Sequence, residues 1–476
     1  MKKSRYLLIA ATILFISAIF GDSNGKFSQN ITDKETQKKY NYYDNPQVCL
    51  GCHIEKFEMW RTSQMSKAFT GDFFQAQYYK LAVLDAGRDE KVKGLTAGCI
   101  GCHSPSAYKA GDYPPTPEDP EKIDSFWNQK GGIKLFADRG VFCDFCHTIE
   151  DFEGTKPFNH NYISHAGPGI EPKRAGLEFP WSPYHKTARS ELHEGALLCG
   201  ICHNELNDFG VWIKATEIEY LDGPYPAKNI VCQSCHMPPV AGKPAKMGPA
   251  RAENHNHWFG GGFTGFVEGA AKITINFDRP DLKTGEKINF SIKVHHLAPG
   301  HKFPTGASEE RDVWLHVGVY DKEGNELDHI KIPSNPGDPN DKYFITTNRK
   351  VAYPTHSRYS EPIERDSLPE GDRLYHSAFI DSDGNFTYAQ WYATKDIENR
   401  LKPLEERIEQ YSWAVPDKFA GKTVKLRAVL NYRRMPDSYA KYLGIEARPT
   451  IEVSRDERVL KISNPRPQEN PKQGKR

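Results

Sequence analysis

Five times in this chain two cysteines enclose two other residues and a histidine follows: "CLGCH" from Cys49, "CIGCH" from Cys99, "CDFCH" from Cys143, "CGICH" from Cys199 and "CQSCH" from Cys232. The five copies use all ten cysteines: Cys49, Cys52, Cys99, Cys102, Cys143, Cys146, Cys199, Cys202, Cys232 and Cys235. Disulfides suit an exported chain, but they give the following histidine no role. Zinc also takes cysteine pairs, yet an odd number of pairs with a histidine after each fits zinc poorly. Covalent c-type haem uses every residue of the motif. Each thiol adds to a vinyl group of the porphyrin, and the adjacent histidine takes the proximal face of the iron. Five c-type haems are the expected cofactors, with His53, His103, His147, His203 and His236 as proximal ligands.

Composition agrees with this reading. Hydrophobic residues make up 38%, and there are 38 glycines and 33 prolines among 476 residues. Such a chain is short of aliphatic core, and five apolar macrocycles between Cys49 and His236 replace part of it. Without haem this half is not expected to fold. The length suggests two to four domains. With 63 basic and 62 acidic residues, net charge gives no case for nucleic acid as a partner.

The amino terminus reads as a secretory signal over residues 1–25. Lys2, Lys3 and Arg5 precede the apolar run Tyr6 to Phe20, and Gly21-Asp22-Ser23 ends it. That run is short of the roughly 20 residues a membrane span needs, so cleavage is expected. The mature chain is expected in the periplasm or outside the cell, where thiols are oxidised. Residues 26–45 are a polar lead-in.

First cysteines are separated by 50, 44, 56 and 33 residues, so this is no regular solenoid. Residues 46–266 read as a loop-rich, mainly helical haem domain. In it "EKFEMWRTSQMSKAF" places Phe57, Trp60 and Met65 near one helical face. From about Ala270 the pattern becomes alternating: "KITINF", "KINFSIKV", "DVWLHVGVY" and "TVKLRAVLNY", separated by "DLKTGE", "DKEGN" and "DSDGN". That pattern predicts an antiparallel β-sandwich over 267–460. A disordered tail over 461–476 completes an α+β multidomain chain.

Each iron has a second axial position. Of 18 histidines, thirteen are not proximal, and six of these lie in or beside the haem region: His160, His165, His185, His193, His255 and His257. Six candidates for five irons match bis-histidine ligation, although a lone histidine is commonly a surface or hydrogen-bonding residue. His160, His165, His185, His193 and His257 are the candidate distal ligands, with His255 as the alternative within "HNH". His301 stands in the tight loop "APGHKFPTG", where it either reaches a haem or bonds backbone. His295, His316, His329, His356 and His376 look ordinary.

"CLGCHIEKFEMWRTSQMSKAF", "SPYHKTARSELHEGALLCGICHNE" and "CQSCHMP…NHNHWFGG" resemble the multihaem cytochrome c superfamily, which includes hydroxylamine oxidoreductase and its tetrahaem electron-acceptor cytochrome. "APGHKFPTGASEERDVWL" and "KLRAVLNYRRMP" look like a β-domain appended in some relatives. The resemblance covers about residues 45 to 450. It implies closely packed haem pairs passing electrons, mostly with bis-histidine iron, and it supports His185 and His193. One departure stands out. Relatives read Trp-x-x-Ser-x-His after the first motif, whereas Trp60-Arg61-Thr62-Ser63-Gln64-Met65 ends in methionine. Met65 then ligates iron through its thioether, or leaves that iron open, or fills core space.

Two functions follow. An electron carrier would link a quinol-linked donor to a terminal acceptor, with cytochromes or a membrane quinol dehydrogenase as partners and self-assembly as a further option. An oxidoreductase would act on a small nitrogen or sulfur oxyanion at one open iron. Every motif ends in histidine, so the lysine variant of pentahaem nitrite reductases is absent, which favours the carrier. Arg61 and Lys67 are the cations near Met65 that an oxyanion site would use.

Overall fold

The structure is a computed structural model that describes residues 43–111, 140–158, 161–165, 171–346, 350–351, 363–364 and 368–464. The expected signal segment and most of the lead-in lie outside the described residues, as does His160. Among the described residues no helix is long and apolar enough to cross a membrane.

The haem region is not mainly helical, which corrects the sequence reading. Among the described residues helix is 27% and strand 30%. Unbroken α-helix in this region does not exceed nine residues among the described residues, a length that is marginal alone in water; a longer helical run, Asp72–Gln77 through Val83–Arg88, is interrupted by the π-helical turn Tyr78–Ala82. Strand pairs alternate with the helices: Ile149–Phe152 with Tyr162–Ser164, Lys173–Ala175 with Thr187–Arg189, Asn204–Leu206 with Trp212–Ala215, and Pro239–Gly242 with Arg251–His255. The helix expected to run on to Met65 stops at Thr62. The cause is local. Thr62 Oγ1 donates to the Met59 carbonyl at 2.9 Å and Ser63 Oγ to the Trp60 carbonyl at 2.7 Å, so hydroxyls compete with the backbone at the last turn.

The alternating segments of the second half do form strands. A three-stranded antiparallel sheet runs Glu406–Ala414, Lys287–His296, Ala271–Asn276. A larger sheet runs Asp281–Lys283, Ile451–Ser463, Thr423–Arg433, Asp312–Tyr320, Glu326–His329, with Arg373–Leu374 beside Asp312–Tyr320. Ile273, Ile292 and Val294 of the first sheet share one buried cluster with Val317, Leu426 and Leu460 of the second. The expectation of a purely antiparallel arrangement is corrected here, because Asp281–Lys283 pairs parallel to the last strand. That last strand reaches Ser463, beyond the expected boundary at 460.

The two halves share a core. One apolar cluster joins Phe74, Tyr78, Leu95, Ile100 and Ala107 to Tyr388, Trp391, Tyr439 and Leu443. Within it the Tyr388 and Tyr439 rings stack at 4.8 Å, and Trp391 Nε1 donates to Asp85 Oδ2 at 2.8 Å. A second tie is ionic. Arg400, 5% exposed, bonds Glu219 of the helix Thr216–Leu221 and Glu398 of the strand Lys395–Glu398, both at 2.6 Å. Side chains from the second half therefore reach the haem motifs directly.

Candidate haem sites

Each cysteine pair lies on a single helical turn. The second to fifth motifs lie within the helices Leu95–His103, Cys143–Thr148, Leu197–His203 and Cys232–His236. The first follows the helix Pro46–Leu50, capped by Asn45, and the His53 amide bonds the Cys49 carbonyl at 2.8 Å to continue the turn. Residues three apart on a helix share a face, so both thiols of a motif point the same way. None of the ten cysteines is in a disulfide. Burial pushes Cys99 and Cys146 up to about 12, which keeps them protonated in apolar surroundings.

The proximal imidazoles are already oriented. Nδ1 of His53, His103, His147 and His236 hydrogen-bonds the carbonyls of Pro244, Ala68, Arg174 and Gly260 at 2.8, 2.7, 2.6 and 2.5 Å. A carbonyl only accepts, so each Nδ1 carries the proton and Nε2 keeps its lone pair for a metal. Burial also lowers His103 and His203 to about 4, which holds them neutral. These residues fit the axial and thioether demands of haem c.

Three proximal rings face a second histidine. His185 lies 6.4 Å from His53, His257 6.1 Å from His147, and His301 6.3 Å from His236, between ring centres. Two imidazoles sharing one metal place their centres about 6.2 Å apart, for metal–nitrogen bonds of about 2.0 Å and about 1.1 Å from nitrogen to centre. In each partner Nδ1 again bonds a carbonyl: His185 to Lys186 at 3.0 Å, His257 to His255 at 3.1 Å, His301 to Lys302 at 2.8 Å. Burial brings His257 down to about 3 and His301 to about 4, so both are neutral donors.

The other candidates stand differently. His193 also lies 6.0 Å from His147, but its Nδ1 bonds Ser190 Oγ and its Nε2 bonds the Cys146 carbonyl, each at 2.9 Å. With both nitrogens engaged, His193 presents no lone pair to a metal. His165 pairs with Glu150 at the surface at 2.8 Å. His255 is exposed, with Nδ1 on the Met237 carbonyl. Met65 packs among Trp60, Phe142 and Phe145. His301 stands outside the candidate distal set that the sequence offers. The turn residues around it were its only signal.

The motifs interlock. Cys49 neighbours Cys143, Cys102 neighbours Cys202, and Cys199 neighbours Cys232. His103 and His203 face no second histidine among the described residues. Around His103 lies a buried charged group that the sequence did not announce. Lys214 bonds Glu205, and burial disfavours its charge while the Glu205 carboxylate more than offsets this. Glu309 and Glu310 are both 0% exposed. Burial raises both, Glu310 to about 7, and neither Glu309 oxygen has a hydrogen-bond partner. Adjacent acidic residues usually mark a solvated face, so "SEE" gave no hint of this.

The chain shares its fold with a penta-heme cytochrome c552 from Thermochromatium tepidum. The two are 18% identical, with a TM-score of 0.56, and the match covers 88% of this chain and 99% of that one. A sporulation control protein, Spo0M, from Bacillus subtilis matches 41% of this chain and 50% of its own at 11% identity, with a TM-score of 0.17, too low to carry an argument. No family model and no curated protein matches the chain.

Proposed function

We propose that this chain is an exported pentahaem c-type cytochrome that carries electrons between a quinol-linked donor and a terminal acceptor. The observation that carries this reading is the three facing pairs, His53/His185, His147/His257 and His236/His301. Haem held between two such imidazoles supplies a reversible one-electron couple with no free coordination site. The chain's own part is to fix the tautomers through backbone carbonyls, keep His257 and His301 neutral, and set the neighbouring motifs side by side. The five motifs and the penta-heme cytochrome that shares the fold support a count of five. Met65 serves as core filler in this reading, given its aromatic neighbours. The test is the spectrum of the oxidised protein with and without cyanide or nitrite. Low-spin iron that ignores both ligands is expected at these three paired positions. High-spin iron at any of the three paired positions would refute it.

One observation favours a second reading, an oxidoreductase working at the His103 position. Lys214 and Glu205 act on His103, Glu309 and Glu310 act on Lys214, and no described histidine faces His103. Lys214 would attract a small oxyanion and Glu310 would exchange a proton with it. Uptake of one cyanide per five irons, abolished in Lys214→Met, is the outcome this reading requires.

A further inference from the structure

A second cluster of metal-ligating side chains lies in the larger sheet, on residues that look ordinary in the sequence. His316 sits on the strand Asp312–Tyr320 and His329 ends the neighbouring strand Glu326–His329. Asp372 precedes the short strand Arg373–Leu374, which pairs along the same edge of Asp312–Tyr320 as Glu326–His329 does. One ligand atom from each of His316, His329 and Asp372 falls within 4.8 Å of the other two. We propose that His316, His329 and Asp372 bind one divalent transition-metal ion of the zinc class, with Glu326 fixing the orientation of His316.

The geometry is close to that of a coordination shell. His316 Nδ1 lies 2.9 Å from Asp372 Oδ2, and His329 Nε2 lies 2.8 Å from Asp372 Oδ1. Ligand atoms around a tetrahedral zinc, with bonds of about 2.0 Å, stand about 3.3 Å apart. To admit the ion, the two imidazole–carboxylate separations open by about 0.5 Å and the widest of the three separations closes by about 1.5 Å. The far nitrogen of His316 supports the assignment. His316 Nε2 meets Glu326 Oε2 at 3.2 Å. A neutral imidazole has one proton. When Nε2–H donates to Glu326, the Nδ1 lone pair is left facing a carboxylate that is 1% exposed. Two electron-rich atoms at that distance repel unless a proton or a metal ion lies between them, so His316 Nδ1 and Asp372 form a place that a cation can take. A carboxylate holding the outer nitrogen of a metal-bound histidine is the usual supporting arrangement at such sites.

Charge and access agree. Two carboxylates and two neutral imidazoles carry two negative charges, which one divalent ion balances. Imidazole and carboxylate together suit zinc-class metals. Gly318, register partner of His329, leaves the space in which the site sits: a Cβ there would come 3.0 Å from Glu326 Oε1. The His329 and Glu326 side chains remain 21% and 36% exposed, which gives an ion a way in. Bound metal would tie the edge strand to the centre of the sheet.

The test uses the full, haem-loaded chain. After chelation and dialysis, zinc chloride is titrated calorimetrically and bound zinc is counted against iron by elemental analysis. One zinc per five irons is expected, lost in Asp372→Asn and in His329→Ala, and weakened about 10–100-fold in Glu326→Gln. His295→Ala should bind as the parent does. X-ray absorption at the zinc edge of the unmutated protein should read two imidazoles and oxygen, whether or not the variants fold. No zinc uptake, uptake unaffected by Asp372→Asn, or a shell without two imidazoles would each overturn the proposal.

Discussion

Replacing His301 with alanine tests whether a residue from the second half completes a site in the first. The His301 ring centre lies 6.3 Å from that of His236, with Nδ1 anchored 2.8 Å from the Lys302 carbonyl. Removing the ring takes one axial donor from one of five motifs, so about one fifth of the iron should change spin state. The other four positions lose nothing, because His301 ligates none of them. The assay is carbon monoxide uptake by the reduced protein, followed at the Soret band, alongside electron paramagnetic resonance of the oxidised form. His301→Ala should take up one equivalent more than the parent per five haems. Added imidazole should occupy the vacated position and return that iron to low spin. His295→Ala, on the strand leading into the same loop, should behave as the parent. Unchanged carbon monoxide uptake in His301→Ala, in protein of normal haem content, would refute the pairing and return His301 to a backbone-bonding role.

Three further outcomes follow from the packing. Arg400→Ala leaves Glu219 buried without its main partner and should cost about 3–5 kcal/mol in denaturant unfolding, with much of that recovered in the Glu219→Gln/Arg400→Met double variant; a loss under 1 kcal/mol would mean the contact is superficial. Gly98→Ala places a Cβ 2.4 Å from Phe158 Cβ, directly before the second motif, and should cost about 1–3 kcal/mol by the same measurement. Burial lifts Asp85 to about 8, above the roughly 3.9 of an unfolded chain. The folded form thus binds the extra proton, and this contribution to stability is full below about pH 4 and is lost as pH rises through about 8. Asp85→Asn should therefore gain stability over the parent at pH 8 and not at pH 4, and equal differences at both would exclude a buried neutral acid.

How much was legible depends on how far the chemistry reaches along the chain. The thioether and proximal positions are fixed within five consecutive residues, so "CLGCH" can be read directly. A distal ligand comes from any distance. His257 is 110 positions from His147, and nothing local to "NHNHW" separates it from His255; both bond a carbonyl through Nδ1, and the difference is that the fold sets His257 against His147 and leaves His255 exposed. His193 shows the converse, placed well by resemblance yet bonded at both nitrogens. Strands were legible because "KINFSIKV" alternates at period two, with burial to match. The parallel edge was not, because pairing direction leaves no mark in a three-residue strand. Helix was over-read where "WRTSQM" kept its apolar spacing while two hydroxyls ended the helix.

Ile100, between the cysteines of the second motif, is wholly enclosed, and residues from 378 to 443 help to enclose it. During synthesis those enclosing residues appear several hundred positions after Cys99. Cofactor attachment to this motif thus has a deadline: the enzyme that forms the thioethers must act before the carboxy-terminal part docks. Chains kept from attachment until synthesis is complete should lack the second haem first, and mass spectrometry of the Cys99–Cys102 peptide would show whether they do.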